Sequence, residues 1–421
     1  MMSVFSNTRD KMSNLAGESQ HRNAVILIAD QVLLGLLGFM FWWLMARHTA
    51  PSNISTANAT VGLIGILAMA STLGLPNTLL RYTSSEKDGS GFIKIAGVAV
   101  VSFSLVLATA WVLSGLGISH TLDWADRIGL IVGVVMTALG ALGTYGLMAH
   151  RQAQYVLYKD MFGMSSRYAF IFGIGLTGLS AAGMVNAIVL GATVAAITGF
   201  SIAARRRGER IEHDWSALVN SLKTKIRFAL GNHVSAIIAS VPALVLPAIM
   251  VGLLGAHQAA FFTVPLLIVG VVNVIPQSMS NSMLAEMSHG GNPGVRVIRA
   301  LKGTYVFLVP GVLVMVIIAP LVLGAFGSAY REGGTTCLRF MLIGALFAGA
   351  NYIGDSLLLG IEKVRLYTIV NLLGTLAVLA WTMALSVDGP SGIGLGWLLG
   401  QVSYLAISVT VIVAAKIPRS L

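Results

Sequence analysis

Apolar runs of about 20 residues recur along this chain at intervals of about 35 residues, and no other feature constrains its folding so tightly. A run of that length crosses the hydrocarbon core of a bilayer as an α-helix. Inside the bilayer every backbone N–H and C=O must find its partner within the chain, which the helix alone supplies run by run. Breaks at charged, Pro, Gly or Ser residues predict twelve spans, near 24–46, 56–80, 92–117, 128–149, 162–181, 183–204, 226–253, 259–285, 298–324, 336–360, 364–385 and 392–415. Composition agrees: 56% of the 421 residues are apolar and 10% are charged, against roughly a quarter charged in a soluble domain. The expected fold class is all-α, a polytopic membrane bundle of about twelve transmembrane helices.

The net charge of +11 could be read as affinity for nucleic acid. In a membrane protein, however, Lys and Arg accumulate in cytoplasmic loops, and no nucleic-acid partner is implied. With both termini in the cytoplasm, all but Arg47, Arg127, Arg331 and Arg339 of the 27 basic residues fall on the inner side. The opposite orientation cannot reproduce that asymmetry. Residues 1–20 are polar and lead into no short apolar core with a small-residue cleavage site, so no cleaved signal peptide is expected. Phe39, Phe41, Trp42, Trp43, Phe261 and Phe262 fall at outer helix ends, where aromatic rings favour the headgroup region.

The longest inner loop opens with Arg205, Arg206, Arg207 and Arg210 and divides the helices six and six. The expected organisation is an N-tail (1–23), an N-lobe (24–204), a basic cytoplasmic linker (205–225) and a C-lobe (226–421), the lobes being related by a pseudo-two-fold axis. Ile211, Trp215, Leu218, Val219, Leu222 and Ile226 recur at helical spacing, which predicts an amphipathic helix on the inner leaflet surface; a solvated basic loop is the alternative. The stretch from Leu44 to Arg81 and that from Met250 to Glu286 share a layout of short outer loop and long inward helix. Parallel repeats of this kind occur in transporters whose halves move about a central cavity.

LGLPNTLLRYTSS at 73–85, with VPALVLPAIMVGLLGAHQAAFFTVPLLIVGVVNVIPQSMSNSMLAEMS at 241–288, resembles bacterial polysaccharide-biosynthesis flippases of the Wzx type, within the multidrug/oligosaccharidyl-lipid/polysaccharide exporter superfamily. The resemblance implies two six-helix lobes about a V-shaped cavity in the bacterial cytoplasmic membrane. It further implies alternating-access movement of an undecaprenyl-diphosphate-linked saccharide from inner to outer leaflet, beside a polysaccharide polymerase or glycosyltransferases. A multidrug or cation antiporter of the same superfamily is the alternative. The lipid II branch would be expected to carry arginines in the first helix, and 24–46 contains none.

Ionisable side chains inside a bilayer cost about 2.5–3.5 kcal/mol each on insertion scales, which makes each a candidate site. Asp30, Arg167 and Asp355 all fall within about 10 Å of the inner boundary by a rise of 1.5 Å per residue, close enough to share one layer. Snorkelling competes for Arg167, and ion pairing or ion coupling by H+ or Na+ for the two acids. Asn273, Gln277 and Asn281 stand four apart and line one helix face beside Pro276; Asn351 and Asp355 repeat the spacing, and Asn232 with His233 lies at similar depth. Such stripes line a cavity or bond neighbouring helices. Pro242 and Pro247 would bend the seventh helix and, with Pro276, serve as gating prolines. Arg81, Arg151, Arg167 and Arg299 are the cations placed to meet a diphosphate at the inner mouth, although positive-inside bias also explains them.

No P-loop, HExxH or GxSxG motif occurs, so neither an enzyme nor a cofactor is expected. GIGLG at 392–396 falls inside an apolar span and reads as helix packing. The eight histidines have no metal-ligand spacing, and the lone Cys337 reads as a packing residue.

Overall fold

The computed structural model describes residues 23, 26–27, 29–83, 88–115, 123–176, 179–205, 214–287 and 292–415. These are helical almost throughout: α1 (Ala29–His48), α2 (Pro51–Ser71), α3 (Leu75–Tyr82), α4 (Gly89–Ser114), α5 (Trp124–Ala149), α6 (Ala153–Ile174), α7 (Ala181–Ala204), α8 (Trp215–Val272), α9 (Val274–Met287), α10 (Pro293–Phe326), α11 (Ser328–Gly360), α12 (Val364–Ala384) and α13 (Gly389–Ala414). Polar N-caps set several starts: Asp88 accepts from the Gly91 N–H, Asp123 from Asp126, Ser180 from Gly183 and Asn292 from Gly294.

Helix α8 is two arms that reverse at Gly255, where φ of 77° and ψ of 160° suit a residue without Cβ. Counting α2 with α3, and the second arm of α8 with α9, as single crossings gives twelve passes. The chain is an all-helical, multi-pass membrane bundle. The face where α1 begins and α13 ends is called proximal here, and the opposite face distal. Helices α4 to α7 pack on one another, as do α10 to α13, and α2 against α8 joins the halves. That crossing is close, since a Cβ on Gly62 would meet the Leu244 carbonyl.

The repeated layout has a structural counterpart. Helix α2 breaks at Thr72–Gly74 before α3 with Pro76, and α8 breaks at Asn273 before α9 with Pro276. Prolines inside helices leave the carbonyl four residues earlier without its N–H. Two of these carbonyls find side-chain donors. Thr375 Oγ1 donates to Ile238 O, four before Pro242, at 3.1 Å, and Arg339 Nε donates to Val316 O, four before Pro320, at 3.1 Å. The glycines at 394, 396 and 400 bring α13 against Cys337, Thr382 and Val378, as helix packing requires.

Three expectations change. Helix α6 starts at Ala153 rather than near 162, because Tyr155, Tyr158, Lys159 and Asp160 continue the helix ahead of the apolar run. Phe41 and Phe262 are fully buried, and Trp42 and Phe261 nearly so, packed within the protein instead of facing headgroups. The separate linker ends early: Asp214 caps a helix that runs unbroken into the seventh pass, and its Leu218 and Leu222 are buried in the protein core while Trp215 is exposed. Leu218 and Leu222 of that apolar face thus pack against protein. Residues 1–22, Arg206, Arg207, Arg210 and Ile211 lie outside the described residues.

Candidate functional site

A cavity of about 450 Å³ lies between the halves, walled by α1 and α2 on one side and by α8, α9, α11, α12 and α13 on the other. Trp42 and Asn58 come from the first half; Asn273, Gln277, Asn351 and Asp355 come from the second. The period of the helix explains the second set: Asn273, at the break before α9, and Gln277 on α9 stand four apart, as do Asn351 and Asp355 on α11, so each pair presents one face.

Asp355 is held by its neighbours. Tyr404 OH donates to its Oδ2 at 3.1 Å and Asn371 Nδ2 to its Oδ1 at 3.1 Å, while the same Asn371 amide also donates to Tyr367 O at 3.0 Å. Asn351 Nδ2 donates to Gln401 Oε1 at 3.0 Å, and Gln277 Nε2 donates to Tyr352 OH at 3.0 Å. Ser280 and Ser356 extend the network between α9 and α11. With their N–H groups committed, Asn351 and Asn371 keep Oδ1 atoms that are buried without a partner; Asn273 Oδ1 is a third. The Asp355 carboxylate is the one charged group among the lining residues, and it favours a proton or a cation there over an anion.

Not every sequence candidate reaches this cavity. Pro242 lines it, whereas Pro247 does not, and Asn281 is exposed outside it. His233 is buried near the backbone of Met69 and Ala70. Arg299 sits on an exposed face of α10, whose 34 residues make it about 50 Å long, beyond a hydrocarbon core of about 30 Å. Arg151 occupies the α5–α6 turn with φ of 56° and is exposed. The side chains of Arg81 and Asn232 lie outside the described residues.

Asp30, Arg167 and Asp355 do not share a layer near the proximal face. With α6 starting at Ala153, Arg167 stands fourteen residues along it, about 21 Å up. Its guanidinium lies 5.3 Å from the centroid of Phe41, whose ring also packs edge-on against the cavity-lining Trp42. Asp30 is fully buried in the first half, and neither carboxylate oxygen has a hydrogen-bond partner. The charges acting on it are those of Lys159 and Asp160, which pair at 2.5 Å in the interior. Sequence reading missed this pair because Lys159 precedes the apolar run and counts there as a loop cation. It also missed Tyr404, Gln401 and Asn371, although the three-residue step from Gln401 to Tyr404 on α13 carries a readable polar stripe.

At the distal face the halves are bonded together. Trp43 Nε1 and Arg47 Nη1 both donate to Ala325 O near the C-terminus of α10, at 2.9 and 3.1 Å, and Ser55 Oγ donates to Ala256 O. Among the described residues no group of three or more His, Cys, Asp or Glu could hold a metal ion.

No protein-family model matches the sequence, and no curated protein matches it. Solved structures do match the fold. A multidrug resistance MATE family transporter of the MOP superfamily, in its inward-facing conformation, has a TM-score of 0.70 at 14% identity over 94% of this chain and 99% of its own. The lipid II flippase MurJ in an inward closed conformation has a TM-score of 0.71 at 13% identity over 93% and 87%. An outward-facing MATE family structure has a TM-score of 0.59 at 15% identity over 94% and 95%. The chain therefore has the fold of MOP superfamily transporters, and the structures it resembles are transporters and flippases rather than enzymes.

Proposed function

We propose that the chain flips an undecaprenyl-diphosphate-linked saccharide from the inner to the outer leaflet of the bacterial cytoplasmic membrane, by alternating access, for surface polysaccharide synthesis. The observation that carries this reading is the cavity itself: a chamber built from both halves whose largely apolar lining carries amides and aromatic rings, the groups that engage sugar hydroxyls and ring faces. The saccharide would occupy the cavity while the lipid tail stays in the bilayer. The distal bonds from Trp43 and Arg47 to Ala325 would part as the cavity turns outward. Asp355, with the free oxygens of Asn351 and Asn371, is the place for a coupling H+ or Na+, whose binding would bias the packing of α11, α12 and α13. Polysaccharide polymerase or glycosyltransferases would handle the cargo before and after it.

The multidrug or cation antiporter reading is favoured by a different detail of the same wall: the charge it carries is the carboxylate of Asp355, beside aromatic faces that suit an organic cation. Depletion of the protein separates the two. Under the flippase reading, lipid-linked saccharide accumulates where a non-permeant sugar-oxidising label cannot reach it, and wild type clears it while Asp355→Asn does not. Unchanged lipid-linked pools with altered sensitivity to cationic drugs would replace that reading with the antiporter.

A further inference from the structure

We infer that the part of the cargo held in the cavity carries no negative charge: it is a neutral or amino-substituted sugar, with the diphosphate kept outside the chamber. This rests on the flippase reading above and narrows its substrate class. The charge of the lining carries the inference: of the residues lining the cavity none is basic, and the one carboxylate is Asp355. The amide N–H groups of Asn351, Asn371 and Gln277 and the hydroxyl of Tyr404 are spent on Gln401, Asp355 and Tyr352 within the wall. The Asp355 carboxylate accepts from Tyr404 and Asn371, and no basic side chain among the lining residues offsets its charge.

Trp42, Trp397, Tyr352 and Tyr404 add ring faces, which are the negative side of an aromatic quadrupole. A sugar's hydroxyl and acetamido groups bring no charge toward Asp355, and an amino sugar brings one of the favoured sign. A uronate or a phosphate would bring like charge toward Asp355 in a site of low dielectric, with its own desolvation uncompensated. The Arg167 guanidinium does not line the cavity and lies over the Phe41 ring.

The test uses the full chain in lipid nanodiscs with two probes that share a short polyprenyl diphosphate, one ending in N-acetylglucosamine and one in glucuronic acid. The neutral probe should bind at least tenfold tighter in wild type, and Gln277→Lys or Asp355→Asn should narrow or reverse that preference. Equal or tighter binding of the acidic probe by wild type overturns the inference and leaves the flippase reading standing. So does an unchanged preference in both variants when each is folded by circular dichroism. If neither probe binds wild type while ethidium does, the flippase reading fails and the inference with it.

Discussion

At the scale of single residues, the buried pair Lys159–Asp160 is the sharpest electrostatic feature of the first half. Lys159 is 4% and Asp160 15% exposed, and Asp30 lies fully buried within reach of both charges. Removing one partner of a buried pair leaves an uncompensated charge and costs about 3–5 kcal/mol, whereas replacing both is often close to neutral. Lys159→Met should therefore lower the unfolding temperature in detergent sharply, and Lys159→Met with Asp160→Leu should recover most of the loss. Equal losses in the single and double variants would refute the pairing energetics. Asp30 was legible as a carboxylate in an apolar run. Its neighbours were not, because hydropathy assigns Lys159 to a loop, while the backbone stays helical from Ala153.

Among elements, the bend in the first arm of α8 depends on a hydroxyl from another helix. Pro242 deprives Ile238 O of its helical donor, and Thr375 on α12 supplies one. Leaving that carbonyl without a partner costs about 1–3 kcal/mol, so Thr375→Val should destabilise the protein by that amount. In a Pro242→Ala background a backbone N–H becomes available, and the same substitution should cost clearly less. A double-mutant cycle on thermal unfolding reads the difference. The proline was visible in the sequence, but its donor lies 133 positions from Pro242 and no local pattern announces it.

The start of the same helix makes a pH-dependent prediction. Asp214 accepts from the Ser216 hydroxyl and the Ala217 N–H, which hold its carboxyl below the usual range. Its folded value being the lower one, the cap is fully present above the unfolded value and is lost as pH falls through the folded one, below about 4. Hydrogen-exchange protection at 215–222 should decline there, and Asp214→Asn should remove that pH dependence.

For the whole molecule, closure of the distal face rests on contacts between halves. Arg47 and Trp43 share the Ala325 carbonyl at the end of α10, where a cation also favours the helix dipole. Arg47 is exposed, so its bond is worth about 1 kcal/mol, or roughly a fivefold change in a two-state equilibrium. Arg47→Ala should enlarge the distally open population by about that factor, read as a longer distance between spin labels placed at Thr49→Cys and Ser328→Cys. An unchanged distribution would remove the latch from the account of closure.

Twelve crossings and the all-helical class follow from the sequence because a bilayer leaves an apolar run one way to satisfy its backbone, and that constraint is local and periodic. The face shared by Asn351 and Asp355 was legible for the same reason. Which side chains meet across helices depends on crossing angles, helix starts and kinks that no single run encodes. Thus Arg167, expected at the mouth, stacks on Phe41, and Tyr404 and Asn371, which no run singled out, close on Asp355. Local hydrogen bonding sets the elements; packing between segments far apart in the chain sets the site.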